Sequence, residues 1–521
     1  MAKKFNITGL CHAHEHYMAD VSHKLEKVRK MVDEGEYFII NRPRQYGKTT
    51  TLYTMTTMLE KSGNYLVFNI SFEGIGDVVF ETEKAFVSVF VKLLARYIRK
   101  RDPQNSALLT KMGGSVTTFG ELSDCIIDFS DTIDKKIVLL IDEVDKSSNN
   151  QLFISFLAML RNLYLNRTNE PTFHSVILAG LHDVKSLKLK IRPDEVQTYN
   201  SPWNIAAEFK VDMNLQPFEI KPMLDEYAVD KGVKMDTAAM AEDLFYYTSG
   251  YPFLVSKLCK MMDEDVLPTK DVKELTESDL EWAVKSLVLE ANTNFDSLIK
   301  NLENNPNLYK VAYEILIEGN YNDFNVYDPV ISLGLMHGIF RNGRGVKIHN
   351  RIYEELIYRY MTSKTKTALI DTLTNETIGQ NFTLANNALD LEKALLKFQM
   401  YMRENHSKHD RNFLEHNGRL VFLAFMRPIL NGHGYDFKEA QASEERRLDV
   451  TITFYQHKYV AELKIWRGEV AHEKGLNQLA DYLDRLHLTE GYLVVFDHKE
   501  VKTWQSEWIT YKNKKIFIAW V

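Results

Sequence analysis

Short apolar runs at residues 37–40, 65–70, 137–141 and 175–179 punctuate the first two hundred residues, each flanked by polar stretches. Runs of this length read as strands buried on both faces. The helical spacing of apolar residues between them, clearest over 151–164, predicts crossover helices and hence a parallel sheet. Beyond residue 213 the spacing is helical, interrupted at Ser249-Gly250-Tyr251-Pro252. Residues 308–360 read as short helices, a hairpin over 338–348 turning on Asn342-Gly343, and a helix from Arg351, which is the order of a winged helix. A Thr- and Asn-rich stretch, 363–382, reads as a connector. Helices are then expected at 391–402 and 412–430, followed by a turn at Asn431-Gly432-His433-Gly434. Strict alternation over 448–455 and 459–466 predicts a hairpin turning at Gln456-His457-Lys458, before a helix over 473–486 and a strand over 491–496.

Length divides the chain into about three domains at roughly 100 to 200 residues each. With 45% hydrophobic and 26% charged residues, the composition is that of a globular protein. A net charge of -7 makes any nucleic-acid surface a local patch rather than a global property. Cys11, Cys125 and Cys259 are too far apart for a zinc knuckle and odd in number, so a reducing cytoplasm is expected. No apolar run approaches the ~18 residues that cross a bilayer, and neither export nor membrane insertion is expected. The hairpin near residue 342 carries only Arg341, Arg344 and Lys347 as basic charge, so the winged helix reads as a lid before it reads as a DNA binder.

Residues 41–50, NRPRQYGKTT, lie between the first strand and a helix beginning near Thr49. That order suits a triphosphate cradle. Backbone N–H groups from Arg44, Gln45, Tyr46, Gly47, Lys48, Thr49 and Thr50 face the phosphates, Lys48 reaches the outer oxygens, and the Thr49 hydroxyl ligates Mg²⁺. Arg42 stands where the GxxxxGK[ST] pattern has glycine. The strand over 137–141 runs into Asp142 and Glu143, an acidic pair at the carboxyl end of a buried strand, suited to a metal and an attacking water. Leu181-His182-Asp183, after the fourth strand, is placed to sense the nucleotide. The histidines of Cys11-His12-Ala13-His14-Glu15-His16 read as a polar entry segment near the nucleotide in preference to a metal site.

The C-terminal hairpin gathers Asp449, Glu462 and Lys464, with Glu462 and Lys464 on one face because residues two apart in a strand share it. Two carboxylates suit Mg²⁺, with Mn²⁺ as a substitute, and a neighbouring ammonium orients the attacking water for hydrolysis of a phosphodiester. Gln478 and Tyr482, four apart on the next helix, face the same way. The competing reading is ordinary cross-strand pairing on a solvated face. Trp466, Tyr482 and Trp504 lie nearby and offer rings on which bases stack, although as single aromatics they read first as core or rim.

On these motifs the chain resembles a bacterial family that joins an AAA-ATPase-like N-terminal domain to a C-terminal PD-(D/E)XK nuclease-superfamily domain. FNITGLCHAHEHYMAD, NRPRQYGKTT, LLIDEVDK, SPWNIAAEF and SGYPFLV carry the N-terminal likeness, in which a loop lacking the first glycine is the family's own variant. The resemblance implies an α/β fold: a P-loop NTPase parallel sheet with a helical and winged-helix lid, plus a restriction-endonuclease-like α/β domain. It implies boundaries at 1–212, 213–362, 363–385 and 386–521. Lys48 and Thr49 are implied as Walker A residues and Asp142 as the Walker B acid that directs Mg²⁺, with Glu143 polarising water. Asp449 and Glu462 are implied as metal ligands with Lys464 catalytic, Gln478 and Tyr482 as accessory residues, and Glu415 as a further acid on the preceding helix. The chain has Leu448 where Pro-Asp would place proline, a literal Pro-Asp that many members also lack. ATP is the nucleotide by resemblance, and nucleic acid, DNA first, is the expected partner. Self-assembly through the ATPase domain is expected, with Arg161, Arg167 and Arg192 as candidate trans-acting arginines. The resulting expectation is an ATP-driven switch coupled to a Mg²⁺-dependent nuclease, with defence against foreign DNA as a setting. The alternative is a nucleotide-dependent scaffold that holds DNA or a protein without cutting.

Overall fold

The computed structural model describes every residue except 1–2, 145–150, 181–202, 319–322, 344, 370–381, 406–421, 424, 427–428, 431–433, 439–448, 467 and 498–503. Two compact units make up the chain. One comprises Met1–Asn301, Val326–Arg341 and His349–Tyr353, and the other Leu302–Asn325, Asn342–Ile348 and Glu354–Val521.

In the first unit β1 (Tyr37–Asn41), β2 (Tyr65–Ser71), β3 (Lys136–Asp142) and β4 (Ser175–Gly180) form an all-parallel sheet in the order β1-β4-β3-β2. Helix Gln151–Asn166 makes the crossover between neighbours β3 and β4. Its apolar face joins Phe72, Phe86 and Phe90 through Phe153 and Phe156 in an aromatic core against the sheet. Burial of each such ring contributes up to ~3 kcal/mol, which is what makes uninterrupted apolar strands necessary here. The strand order sets β4 between the strand that feeds the loop at 42–47 and the strand that ends in Asp142.

The expected winged-helix region divides between the units. Helix Pro329–Met336 and the residues around Ile339 and His349 belong to the first, while helix Pro306–Tyr313 and the outer part of the ribbon β5 (Phe340–Gly343) and β6 (Gly345–Ile348) belong to the second. Gly343 is the last residue of β5 rather than part of the turn. Helix Arg351–Leu369 runs through the start of the expected connector, and Phe382 at the connector's far end is buried in the second unit's core, as is Leu389 beyond it.

That unit is built on a mixed sheet of β7 (Gly434–Lys438), β8 (Asp449–Phe454), β9 (His457–Ile465), β10 (Glu490–Phe496), β11 (Ser506–Tyr511) and β12 (Lys514–Trp520), ordered β11-β12-β10-β9-β8-β7. β10 runs parallel to β9 and β12, and the other pairs are antiparallel. Helix Leu391–Asn405 covers one face, together with Phe422, Phe425, Met426 and Ile429 of the helix expected over 412–430, of which 412–421, 424 and 427–428 fall outside the described residues. Helix Glu469–Arg485 covers the other through Leu476, Leu479, Tyr482 and Leu483. The β8–β9 hairpin turns on Tyr455 and Gln456, one residue earlier than the pattern suggested: Phe454 pairs with His457, and Tyr455 takes a φ of 51° to make the two-residue turn. Strands β7, β11 and β12 went unread in the sequence. Among the described residues no helix is long and apolar enough to cross a membrane, and all three cysteines are free.

Candidate functional site

The loop after β1 is shaped by two left-handed residues, Gln45 (φ 58°) and Gly47 (φ 74°), so that helix Lys48–Lys61 starts with its free N–H groups at the loop's mouth. Lys48 Nζ donates to the carbonyls of Arg42 and Pro43, both at 2.9 Å, folding back over the loop it belongs to. Thr49 Oγ1 donates to Asp142 Oδ2 at 2.7 Å, which brings the ends of β1 and β3 together across β4. Asp142 is buried, its other carboxylate oxygen accepts the Glu143 N–H at 2.9 Å, and Glu143 has a φ of 54°. A non-glycine residue held there is strained by ~1–3 kcal/mol, a cost typical of residues whose direction matters. Oxygen donors on Thr49 and Asp142, an ammonium on Lys48 and a helix N-terminus fit a triphosphate with its hard divalent cation.

Arg42 explains itself in the structure. Its backbone needs no positive φ, and its N–H bonds the Gly180 carbonyl at 3.2 Å. The side chain turns away from the loop, donating to the carbonyls of Asn41 and Val211 at 2.9 Å and lying 5.3 Å above the Phe209 ring. Glycine is therefore not required at this position.

The loop side chains are held by residues remote in sequence. Tyr46 is buried, and its hydroxyl bonds Asn214 Oδ1 and sits 2.9 Å from His349 Nε2. Its ring packs edge-on against Tyr251 at 4.6 Å, and the Tyr251 hydroxyl donates to the Arg44 carbonyl at 2.7 Å. Asn294 Nδ2 donates to Gln45 Oε1 at 2.9 Å and accepts from the Tyr353 hydroxyl at 2.7 Å. Burial pushes the Tyr46 and Tyr353 phenols well above their ordinary range, and it pushes His349 down to about 4, with Arg341 assisting and Asp212 opposing. These groups are neutral and act as one hydrogen-bonded clamp. Gln45 and Tyr46 thus offer phosphates their backbone, because their side chains are committed to the clamp. Asn214, Asn294, His349 and Tyr353 carried no signal in the sequence, and Tyr251 was visible only as part of a helix break.

The entry segment lies at the same place: the Cys11 N–H donates to Thr50 Oγ1 at 3.3 Å, and the His12 N–H to His16 Nδ1 at 2.9 Å. Among the described residues no group of three or more His, Cys, Asp or Glu is arranged to hold a metal ion. Arg167 lies 4.0 Å above the Tyr164 ring and donates to the Gly35 carbonyl, a packing role within its own unit, and Arg161 sits on the crossover helix with its Nε buried. Arg192 and the sensing turn at 181–183 fall outside the described residues.

In the second unit the backbone register pairs Asp449 with Glu462. Val450, Ile452 and Phe454 belong to the core on the face away from Glu462. Glu462 is 1% exposed and forms an ion pair with Lys464 at 2.6 Å. The Lys464 ammonium also donates to Gln478 Oε1 at 2.9 Å. Tyr482 is buried with its hydroxyl 3.3 Å from Thr451 Oγ1. Gly475 lets the helix pass directly over Lys464, since a Cβ there would lie 3.3 Å from the lysine Cε. Thr451 and Gly475 are additions to the expected set, and only a glycine inside a helical pattern hinted at the second. Glu415 falls outside the described residues.

The parallel sheet, the loop with its lysine and threonine, and the acid at the end of β3 define an ATPase-like P-loop protein. The chain belongs to the AAA-like domain family, whose model matches residues 9–357. Similar solved structures are distant ones. The Walker-type ATPase paby2304 of Pyrococcus abyssi is 13% identical over 68% of this chain and 99% of its own, with a TM-score of 0.46. The Aeropyrum pernix ORC2 protein is 12% identical over 68% and 96%, with a TM-score of 0.34. The Thermotoga maritima RuvB Holliday junction branch migration motor is 16% identical over 65% and 95%, with a TM-score of 0.32. No curated protein matches the chain.

Proposed function

We propose that the chain is an ATP-driven switch whose second unit is a Mg²⁺-dependent nuclease. One observation carries the nuclease half: a carboxylate, Glu462, is held 1% exposed at the register position of Asp449 with its charge answered by Lys464. Enclosing an ion pair costs several kcal/mol against an apolar pair of the same size, so cross-strand pairing on a solvated face does not account for it. Asp449 and Glu462 supply the hard oxygen donors that suit Mg²⁺ or Mn²⁺, and a bound divalent cation would neutralise charge on the phosphodiester. Lys464, fixed by Gln478 and by the closely passing helix at Gly475, would orient the attacking water, and the Tyr482–Thr451 contact sets the depth of that helix.

In the first unit Lys48 would exchange the Arg42 and Pro43 carbonyls for phosphate oxygens. Thr49 and Asp142 would hold Mg²⁺, and Glu143 would orient water for hydrolysis. Nucleic acid, DNA first, is the partner, and self-association through this unit belongs to the same reading. Incubating the pure chain with linear and single-stranded DNA and RNA, with Mg²⁺ or Mn²⁺ and with or without ATP, tests it: products that disappear in Lys464→Met support the nuclease. The scaffold reading draws on the fact that Lys464 is already satisfied by Glu462 and Gln478, both its own neighbours. Tight binding of nucleic acid with no product under any of these conditions would establish it instead.

A further inference from the structure

The sheet face that carries Glu462 and Lys464 continues along β9 to Trp466, which immediately follows the strand. At ~3.3 Å of rise per residue, the Trp466 and Lys464 backbones are about two residues, or one nucleotide's reach, apart. Trp466 does not stand alone. Its ring centroid is 4.8 Å from that of Trp520 at the end of β12 and 5.6 Å from that of His472 in the first turns of the covering helix. His472 and Trp520 are 5.5 Å apart and within 27° of parallel. All three residues are half-buried, Trp466 and Trp520 packing in part against the core beneath helix Glu469–Arg485. On the same helix His472 comes one turn before Gly475, where the helix crosses Lys464, and Gln478 follows one turn later. Desolvation lowers the His472 pKa with Glu469 opposing, which leaves a neutral imidazole in an uncharged aromatic group.

We propose that Trp466, His472 and Trp520 form a stacking platform for an unpaired nucleobase beside the phosphodiester that Glu462 and Lys464 address, making single-stranded or frayed nucleic acid the substrate class. The proposal rests on the nuclease reading. A base inside a duplex already stacks on both neighbours and must be drawn out before it can reach a protein ring, whereas an unpaired base has a free face and stacks on aromatic rings regardless of its identity. The platform therefore selects for strand state and not for sequence.

The test uses the full-length chain in chelator, so that binding is read without cleavage. A short single-stranded oligonucleotide and its duplex are titrated while tryptophan emission and anisotropy are followed. The parent should bind the single strand about ten-fold more tightly than the duplex, with quenched tryptophan emission. Trp466→Leu should weaken single-strand binding by about ten-fold and leave duplex and ATP affinity unchanged, and Trp466→Phe should recover most of the loss. Single-strand binding without any change in parental emission, a parental preference for duplex, or undiminished binding by Trp466→Leu would each overturn the platform. Should Trp466→Leu fail to fold, the parental emission and the parental preference for single strand over duplex still decide. If the parent cuts nothing with Mg²⁺ or Mn²⁺ present, the nuclease reading fails. If it cuts single strands and duplexes equally, the platform fails and the nuclease stands.

Discussion

The two candidate sites differ in how far along the chain their parts are gathered. In the second unit Thr451, Glu462, Lys464, Gly475, Gln478 and Tyr482 come from one hairpin and the helix that follows it. The loop at 42–47 is instead held by partners from β3 and β4 and by Val211, Asn214, Tyr251, Asn294 and His349. A site made from local parts keeps its geometry as long as its hairpin folds. A site clamped from remote parts has the conformation of its whole unit, so changes far away in sequence reach the nucleotide.

The comparison breaks most readily at Lys464. Replacing it with Met should lower nucleic-acid cleavage by about 10²- to 10⁴-fold, the usual worth of a positioned proton-transfer or water-orienting group. ATP turnover should be unchanged, which a coupled phosphate-release assay on the same preparation reads. Equal loss of both activities would mean that the second site is not the self-contained assembly described. At the first site, Lys48→Ala should reduce ATP hydrolysis by about 10²- to 10³-fold, since it removes a positive charge aimed at the phosphates. The same variant reports on coupling: cleavage that persists at parental rate with ATP present would make the two sites independent.

The same contrast governs what could be read from the chain. Strands β1–β4, the loop and Asp142 were legible because uninterrupted apolar runs and a fixed loop spacing are local signals. So was the hairpin, whose alternation put Glu462 and Lys464 on one face. The clamp was not legible. Asn294 and His349 meet Gln45 and Tyr46 only through the fold, and an isolated asparagine or histidine announces no partner some 250 or 300 residues away. The region around residue 340 has short helices and a ribbon in winged-helix order, and its residues divide between the two units, a division that order alone does not register. The Tyr455 turn was missed by one residue because a two-residue turn needs a left-handed residue, and tyrosine gives no hint of one.

Acid sharpens the comparison next, because the clamp contains a buried titrating group. Burial lowers His349 from 6.5 to about 4. Between those values the unfolded chain binds a proton that the folded unit refuses. Stability is therefore fully present above pH 6.5, falls as the pH drops through the window and levels off below 4. Between pH 7.5 and 5 the loss is about 2 kcal/mol from this group. Urea midpoints of the parent should fall over that range, and His349→Gln, whose side-chain amide reaches the place of the Nε2 atom that meets the Tyr46 hydroxyl, should remove most of the slope. An unchanged slope in the variant would assign the acid sensitivity elsewhere.

The smallest effect on nucleotide affinity is also the most pointed, because it restores the usual pattern and is expected to harm the protein. Arg42→Gly would recreate the glycine of GxxxxGK[ST]. It would also remove the guanidinium from above Phe209 and from the Val211 carbonyl, contacts worth ~1–2 kcal/mol together. A further ~0.5–1 kcal/mol is lost because glycine gives the unfolded chain freedom that the native backbone, with no positive φ here, does not use. The variant should melt several degrees lower while its ATP affinity, measured below that transition, stays within about three-fold, because the phosphate-facing groups from Arg44 onward keep their other supports. If Arg42→Gly binds ATP far more weakly at a temperature where it is fully folded, the guanidinium contributes to nucleotide binding directly. If it is as stable as the parent, the remote clamp alone sets the loop.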